Sequence, residues 1–299
     1  MNIFLENVNL NLTSGPNHFG QKLVKYSEMR GVQFNNSIPY DKKLTFIQST
    51  GLRKDLDMYL RLDGIYFNSG FDCDRMNYNI EKSYHDAKGV IFQTNFNKEL
   101  IFKWFGEHNN YDIINNGADI LSISNITPPE KLKNKFKSFQ KVWSCAANWH
   151  SFKRLKDNIQ YFLNFGASND CLVVCGNNPD YVIEHPRIFY VGNLSIFDLT
   201  SIYKISTYFI HLAYLDHCPN VVIDARACGC QIICSSAGGT KEIAGPEAII
   251  VTEPQWDYVF LKDSTPPPLS FDKIQKNTFD SKISMVSVTK KYLNFISKE

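Results

Sequence analysis

An α/β chain of two domains, each built on a mainly parallel sheet, is the fold class this sequence predicts. Three observations predict it. The chain has 299 residues, too many for one ordinary core and enough for two of about 130–160 residues. Short apolar runs alternate with longer amphipathic stretches along its length, the pattern of strands and helices in layers. A Pro- and Lys-rich stretch, Thr127–Phe139, interrupts that alternation near the middle. The expected division is therefore 1–137, 138–275 and a terminal helical segment 276–299 that could pack back on the first domain.

The elements follow in order. Asn2–Val8 reads as a strand, and the loop Ser14-Gly15-Pro16 leads to a helix over Phe19–Met29 that Gly31 ends. Val32–Phe34, Leu44–Gln48 and Met58–Leu62 are extended. Ile80–Ala87 and Lys98–Phe105 read as helices, and Gly89–Gln93 and Tyr111–Ile114 as strands. In the second half the strands are Val142–Ala146, Cys171–Cys175, Ile188–Val191, Tyr208–Ala213, Gln231–Ser235 and Ala248–Val251. Helices are expected over Arg154–Phe165, Phe197–Ile205 and Asn220–Ala227. Tyr258–Ser270, with Pro266 to Pro268, reads as a loop, and Ile274–Ser297 should hold the last helix. In such folds ligands bind beyond the carboxyl ends of the strands, at helix N-termini.

Composition excludes several classes. The net charge of +2 gives no large basic surface, so no nucleic-acid partner is expected. No run reaches the ~20 apolar residues of a membrane span. Met1–Leu10 carries Glu6 and several Asn, unlike a secretory leader, and a cytoplasmic location is expected. The eight cysteines form no CxxC pair and read as reduced, buried thiols. Asp72-Cys73-Asp74 spells a DxD, but no metal site is expected there.

The chemistry concentrates in Asp216-His217-Cys218-Pro219-Asn220-Val221-Val222-Ile223-Asp224. A strand runs into it, and a helix begins at Pro219–Asn220, where proline suits the first turn. The first-turn N–H groups have no intrahelical acceptor, and the helix dipole points its positive end the same way, a site for phosphate or a sugar hydroxyl. Asp224 falls one turn after Asn220, beside Val221, Ala225 and Cys228. A carboxylate on so apolar a face is costly unless something binds it, and a vicinal ribose diol donating two hydrogen bonds would do so. A carboxylate that simply reaches water is the ordinary alternative.

The spacing Asp216-x7-Asp224, followed by Ala225-Arg226-Ala227-Cys228-Gly229-Cys230 and then Ser235-Ser236-Ala237-Gly238-Gly239-Thr240-Lys241-Glu242, resembles the E-x7-E pattern of glycosyltransferase family 4 and related retaining enzymes. Asn148-Trp149-His150-Ser151-Phe152-Lys153-Arg154 resembles that family's basic loop for the donor diphosphate, and Gly192 its glycine near the nucleotide base. In the first domain Ser14-Gly15-Pro16-Asn17-His18 sits where the family has a glycine-rich loop, Arg30-Gly31-Val32 resembles the end of its first helix, and Asn116-Gly117-Ala118-Asp119 resembles the run before its linker. The resemblance is dense over 140–253 and diffuse over 1–120.

The resemblance implies a GT-B fold, two Rossmann-like domains facing each other across a cleft. It implies transfer of a sugar from a nucleotide-diphosphate donor with retention of configuration, without metal or further cofactor. The implied catalytic residues are Asp216, Lys153 and Arg154. The implied donor contacts are Gly15, Asn148, Gly192, His217, Cys218, Pro219, Asn220, Val221, Asp224 and Glu242. His18 and Asp63 are acceptor-side candidates, with His85 a weaker one. A glycan, lipid or protein acceptor is open, as is contact with a membrane surface. Both acidic positions are Asp where Glu is usual, and the arginine usual before the motif lysine is missing. Those departures leave open a second reading, a sugar-nucleotide or glycan-binding protein without catalysis, and a third, a nucleotide-sugar hydrolase or epimerase.

Overall fold

The computed structural model describes residues 1–12, 14–35 and 39–298. The chain divides into two compact units. The first is Met1–Gly117 with Trp256–Ser264 and Lys282–Glu299; the second is Ala118–Gln255 with Thr265–Ser281.

Unit 1 is a parallel sheet of six strands, β1 (Asn2–Glu6), β2 (Gln33–Phe34), β3 (Lys42–Phe46), β4 (Met58–Leu62), β5 (Gly89–Phe92) and β6 (Tyr111–Ile113), in the order β2-β1-β3-β4-β5-β6. β4 and β5 are buried along their whole length, as central parallel strands must be. Helices α1 (Gly15–Glu28), α2 (Cys73–Asp86) and α3 (Asn95–Phe105) connect the strands. The C-terminal helix, Met285–Ile296, also belongs here. Its Met285, Val288, Tyr292, Phe295 and Ile296 join Phe19, Leu23 and Leu44 in one core.

Unit 2 opens with two short helices, α4 (Ile120–Asn125) and α5 (Glu130–Phe136). Its strands are β7 (Val142–Ala146), β8 (Cys171–Cys175), β9 (Ile188–Gly192), β10 (Tyr208–His211), β11 (Gln231–Ser235), β12 (Ile249–Val251) and β13 (Ile274–Lys276), in the order β13-β12-β11-β10-β7-β8-β9. All pair in parallel except β13, which lies antiparallel on β12. The helices between are α6 (Leu155–Phe165), α7 (Ile196–Ile205), α8 (Asn220–Ala227) and α9 (Thr240–Ile243).

Four expectations shift. The first helix begins at Gly15 rather than Phe19, because Pro16 is at home in a first turn. α2 begins at Cys73 rather than Ile80, because the Asp72 carboxylate accepts the Arg75 N–H and caps it. That assigns the DxD triplet to a helix start. The division falls at Gly117/Ala118 rather than near 137. The Pro/Lys stretch contains α5, and its neighbours bind unit 2: Lys204 Nζ donates to the Ile126 carbonyl at 2.5 Å, and Phe136 meets Phe189 with ring centres 5.3 Å apart. Finally, Ile274–Lys276 is an exposed edge strand, so only the later part of that stretch is helix.

Candidate active site

The site in unit 2 stands on the carboxyl ends of β7, β10, β11 and β12, adjacent strands in the sheet. After β7 the chain makes a 3-10 turn, Ser151–Lys153, and then places Arg154 in the left-handed region (φ 52°, ψ 50°) before α6 starts. A side chain there costs energy unless the surroundings hold it. Asn158 holds it: its Nδ2 donates to the carbonyls of Lys153 (3.1 Å) and Arg154 (2.9 Å), and its Oδ1 accepts the Leu212 N–H at 3.1 Å. The Tyr214 N–H donates to the Phe152 carbonyl at 2.8 Å, tying the basic loop to the segment after β10.

Lys153 and Arg154 then take different tasks. Arg154 is buried, and its two Nη atoms donate to both Glu253 oxygens at 2.8 and 2.9 Å and to the Pro267 carbonyl at 2.8 Å. Its guanidinium lies 4.8 Å from the Tyr214 ring centre. The resemblance made Arg154 a diphosphate contact; with its side chain 1% exposed, it instead holds the loop from beneath. Glu253 also accepts from Ser235 Oγ, which in turn accepts the Ala237 N–H at 2.8 Å. Lys153 turns outward, its Nζ 2.5 Å from Asp216 Oδ2, with side-chain exposures of 24% and 15%.

His211, the last residue of β10, donates from Nε2 to the same Asp216 Oδ2 at 2.9 Å. Only that tautomer fits, since an ionised carboxylate can only accept. Burial alone would raise the Asp216 carboxyl, but the Lys153 charge and the His211 bond outweigh it and hold it far below the usual carboxylate range. Burial pushes the imidazoles the other way: His217 down to about 4, and His211 and His150 downward as well. The backbone of Asp216 bridges to Gly238, and its carbonyl accepts the Gly239 N–H at 2.8 Å. Gly238 sits at φ 86°, and a Cβ there would meet the Asp216 carbonyl oxygen at 2.7 Å, so the close approach requires glycine.

Beyond Asp216, Cys218 and Pro219 are buried, and Pro219 precedes α8 with no side-chain cap. In the first turn of α8 the Val222 and Ile223 N–H groups already donate to the Pro219 carbonyl, at 3.2 and 3.4 Å. Asp224 is half-buried on α8, and Glu242 is buried on α9. Asn148 is exposed in the loop after β7. Gly192 is exposed at the end of β9 in the left-handed region, φ 68°, and its carbonyl accepts the Gly176 N–H at 2.7 Å.

The candidates in unit 1 sit in other surroundings. Gly15 is the first residue of α1, and the His18 N–H donates to the Ser14 carbonyl within the same turn. His85 lies in the last turn of α2. Asp63 follows β4 and is bound by Arg61 Nη1 and by Gln93 Nε2 at 2.7 Å. Arg61 also donates to Asn116 Oδ1 at 2.8 Å. The Asp63 carboxylate is thus already matched by a cation, which weighs against a role as an independent base.

His211, Glu253 and Asn158 are the members of the site that motif reading does not single out. His211 had a signal: it is the one imidazole in the run Tyr208-Phe209-Ile210-His211-Leu212.

Residues 152–259 match the family described as Glycosyl transferases group 1. No curated protein sequence matches the chain. Among solved structures it is similar to the sucrose-phosphate synthase of Thermosynechococcus elongatus, with TM-score 0.67 and 13% identity over 84% of this chain and 86% of that one. It is similar to Anabaena HepE in complex with UDP-glucose, with TM-score 0.64 and 14% identity over 85% and 86%. The glycosyltransferase WaaG, involved in lipopolysaccharide biosynthesis, gives TM-score 0.62 and 12% identity over 100% and 91%. The chain therefore has a GT-B type of fold, two Rossmann-like α/β units, and most of the second is similar to the glycosyltransferase group 1 family.

Proposed function

We propose that this chain is a glycosyltransferase of family 4 type, moving a hexose from a nucleotide-diphosphate sugar to an acceptor with retention of anomeric configuration and without a metal ion. The single observation that carries the reading is the Lys153–Asp216 pair, 2.5 Å apart, set at the carboxyl end of β10 one short turn before the N-terminus of α8. A cation, a carboxylate and a helix N-terminus in that order fit a diphosphate joined to a sugar.

In this reading the leaving diphosphate meets Lys153 and the first-turn N–H groups of α8. They stabilise the charge that grows on the β-phosphate, the part a metal ion plays elsewhere. Asp216 accepts from sugar hydroxyls. Asp224 accepts from the ribose diol, and Gly192 leaves room beside the base. Arg154 acts through Lys153 by fixing the loop. UDP-glucose, bound by the HepE structure, is the first donor to try. The acceptor, whether glycan, lipid or protein, is to be identified by assay.

The test is a thermal-shift series with UDP, GDP, ADP and their sugars on wild type and Asp224→Ala. A ligand at 100 times its Kd adds about 2.7 kcal/mol, several degrees for a domain of this size. One base series should shift the wild type and lose most of its effect in the variant. No shift with any nucleotide at millimolar concentration would remove the donor site. A shift without turnover or hydrolysis would favour the non-catalytic binder.

A further inference from the structure

Asp216 carries two donors on one oxygen. Lys153 Nζ is 2.5 Å from Oδ2 and His211 Nε2 is 2.9 Å from the same atom. Of the two donors, Lys153 is 24% exposed on a flexible four-carbon stem, while His211 is 4% exposed at a strand end. A diphosphate entering the site brings two negative charges toward Lys153 and draws it off Asp216. The carboxylate, already largely buried, would then have no cation, a costly state.

We propose that His211 is the positioning residue and reserve counter-ion of Asp216: when the donor diphosphate engages Lys153, His211 takes a proton and holds Asp216 ionised and oriented toward the sugar. This rests on the reading of the site as a donor site. The proton comes from solvent onto Nδ1, and Nε2–H stays on Asp216 Oδ2, so no bond to Asp216 changes. The charged groups acting on His211 are Asp216, which favours its protonation, and Lys153, which opposes it. Its register partner on β11, Cys234, is a buried thiol pushed up to about 12 and so neutral. With Lys153 beside Asp216, burial keeps the imidazole neutral; with Lys153 on a phosphate, the balance reverses. The bound state then holds more protons than the free state, so donor binding tightens as pH falls through the His211 window.

Two measurements decide it. The first needs no donor: the His211 Cε1–H resonance is titrated in wild type and Lys153→Met. Loss of the competing cation should raise the midpoint by about one pH unit or more; an unmoved midpoint overturns the proposal whatever the protein binds. The second is calorimetry with UDP-glucose in buffers of different ionisation enthalpy. A nucleotide sugar has no phosphate that titrates near neutrality, so proton uptake reports the protein. Wild type should take up protons on binding. His211→Gln, which keeps an Nε2 donor but cannot titrate, should bind without uptake and retain turnover at high pH. His211→Leu, which loses both, should keep its fold by circular dichroism and lose about 100-fold in kcat/KM, the scale of a ~1 Å misplacement. Binding without uptake in wild type overturns the proposal and leaves the donor site standing. Failure to bind counts against the donor site, and the first measurement still decides His211.

Discussion

Each unit buries an arginine at the carboxyl ends of its parallel strands, and the two are built differently. Arg61 in unit 1 lies 4.5 and 4.7 Å from the ring centres of Phe19 and Phe46 and reaches Asp63 and Asn116, which joins Gln93. Its carboxylate partner is 21% exposed. Arg154 in unit 2 faces Glu253 bidentately, and the two side chains are 1% and 4% exposed. The neighbouring Lys153 carries the charge that solvent can reach. The difference teaches how one loop divides its two cations: one is committed to the scaffold in a dry bidentate pair, and that commitment leaves the other free to serve a ligand.

The sharpest way to break this comparison is to cut both pairs. Arg154→Met leaves Glu253 buried without its cation, and stability measured by denaturant should fall by about 3–5 kcal/mol. Arg154→Met with Glu253→Leu should recover most of that loss, because no charge is then stranded. Arg61→Met should cost less, since Asp63 can turn to water. Equal losses at the two arginines would mean that exposure of the partner does not set the cost.

A smaller effect separates two glycines. Gly238 and Gly192 both have positive φ, but a Cβ at Gly238 meets the Asp216 backbone at 2.7 Å while one at Gly192 meets nothing within 4 Å. Gly192→Ala should cost only the left-handed conformation, roughly 1–2 kcal/mol. Gly238→Ala adds a backbone clash and should displace Asp216, so its donor-induced thermal shift should vanish. Retention of that shift in Gly238→Ala would uncouple the glycine loop from the site.

The units differ again in how far the sequence announces them. β4, β7, β8 and β11 have the bounds that apolar runs predict, because buried parallel strands are mostly apolar, and α8 has the bounds read for it as a helix. In unit 2 the chemistry follows strand ends at short spacing, so Asp216, Asn220, Asp224 and Glu242 could be read together. What escaped is what pairs over long separation: Arg154 with Glu253, 99 residues on, and the Asn158 side chain with the Leu212 N–H, 54 residues on. No local pattern carries such pairs. In unit 1 the charged residues are spent on one another, as Glu6 is on Lys43, Thr45 and Thr50, and a motif reading has nothing to hold.

Acid should expose the carboxylates of both units. Burial opposes ionisation of Glu6, but the bonds from Lys43, Thr50 and Thr45 pull its carboxyl below the ordinary value; Asp216 is held down in the same sense. A depressed folded value means the folded state releases protons that the unfolded state keeps. The stabilisation is therefore complete above the unfolded carboxylate values near 4 and is lost as pH falls through the folded ones. Denaturation midpoints should begin to fall below about pH 6.5, where the unfolded chain protonates the histidines that burial keeps neutral in the fold, and fall further below about pH 4 as the carboxylates are protonated. Glu6→Gln and Asp216→Asn should each flatten the fall in its own unit, followed by tryptophan emission from Trp104 and Trp143 respectively. A fall that neither variant changes would place the acid sensitivity elsewhere.

The smallest effect belongs to a pair that resembles the site on paper. Asp57 in unit 1, like Asp216, receives two nitrogens on one Oδ2, Lys42 at 2.9 Å and Lys88 at 2.7 Å. Yet Asp57 is 45% exposed where Asp216 is 15% exposed. Water screens the first arrangement, and two long side chains lose entropy in making it. Asp57→Asn should therefore change stability by less than about 1 kcal/mol, and less still in high salt. Asp216→Asn, with the same atoms removed, should release a half-buried lysine and a buried histidine from their shared acceptor and cost several times as much. If the two substitutions cost the same, burial is not what distinguishes the site from an ordinary surface cluster, and the Lys153–Asp216 geometry loses its claim to be more than an ion pair.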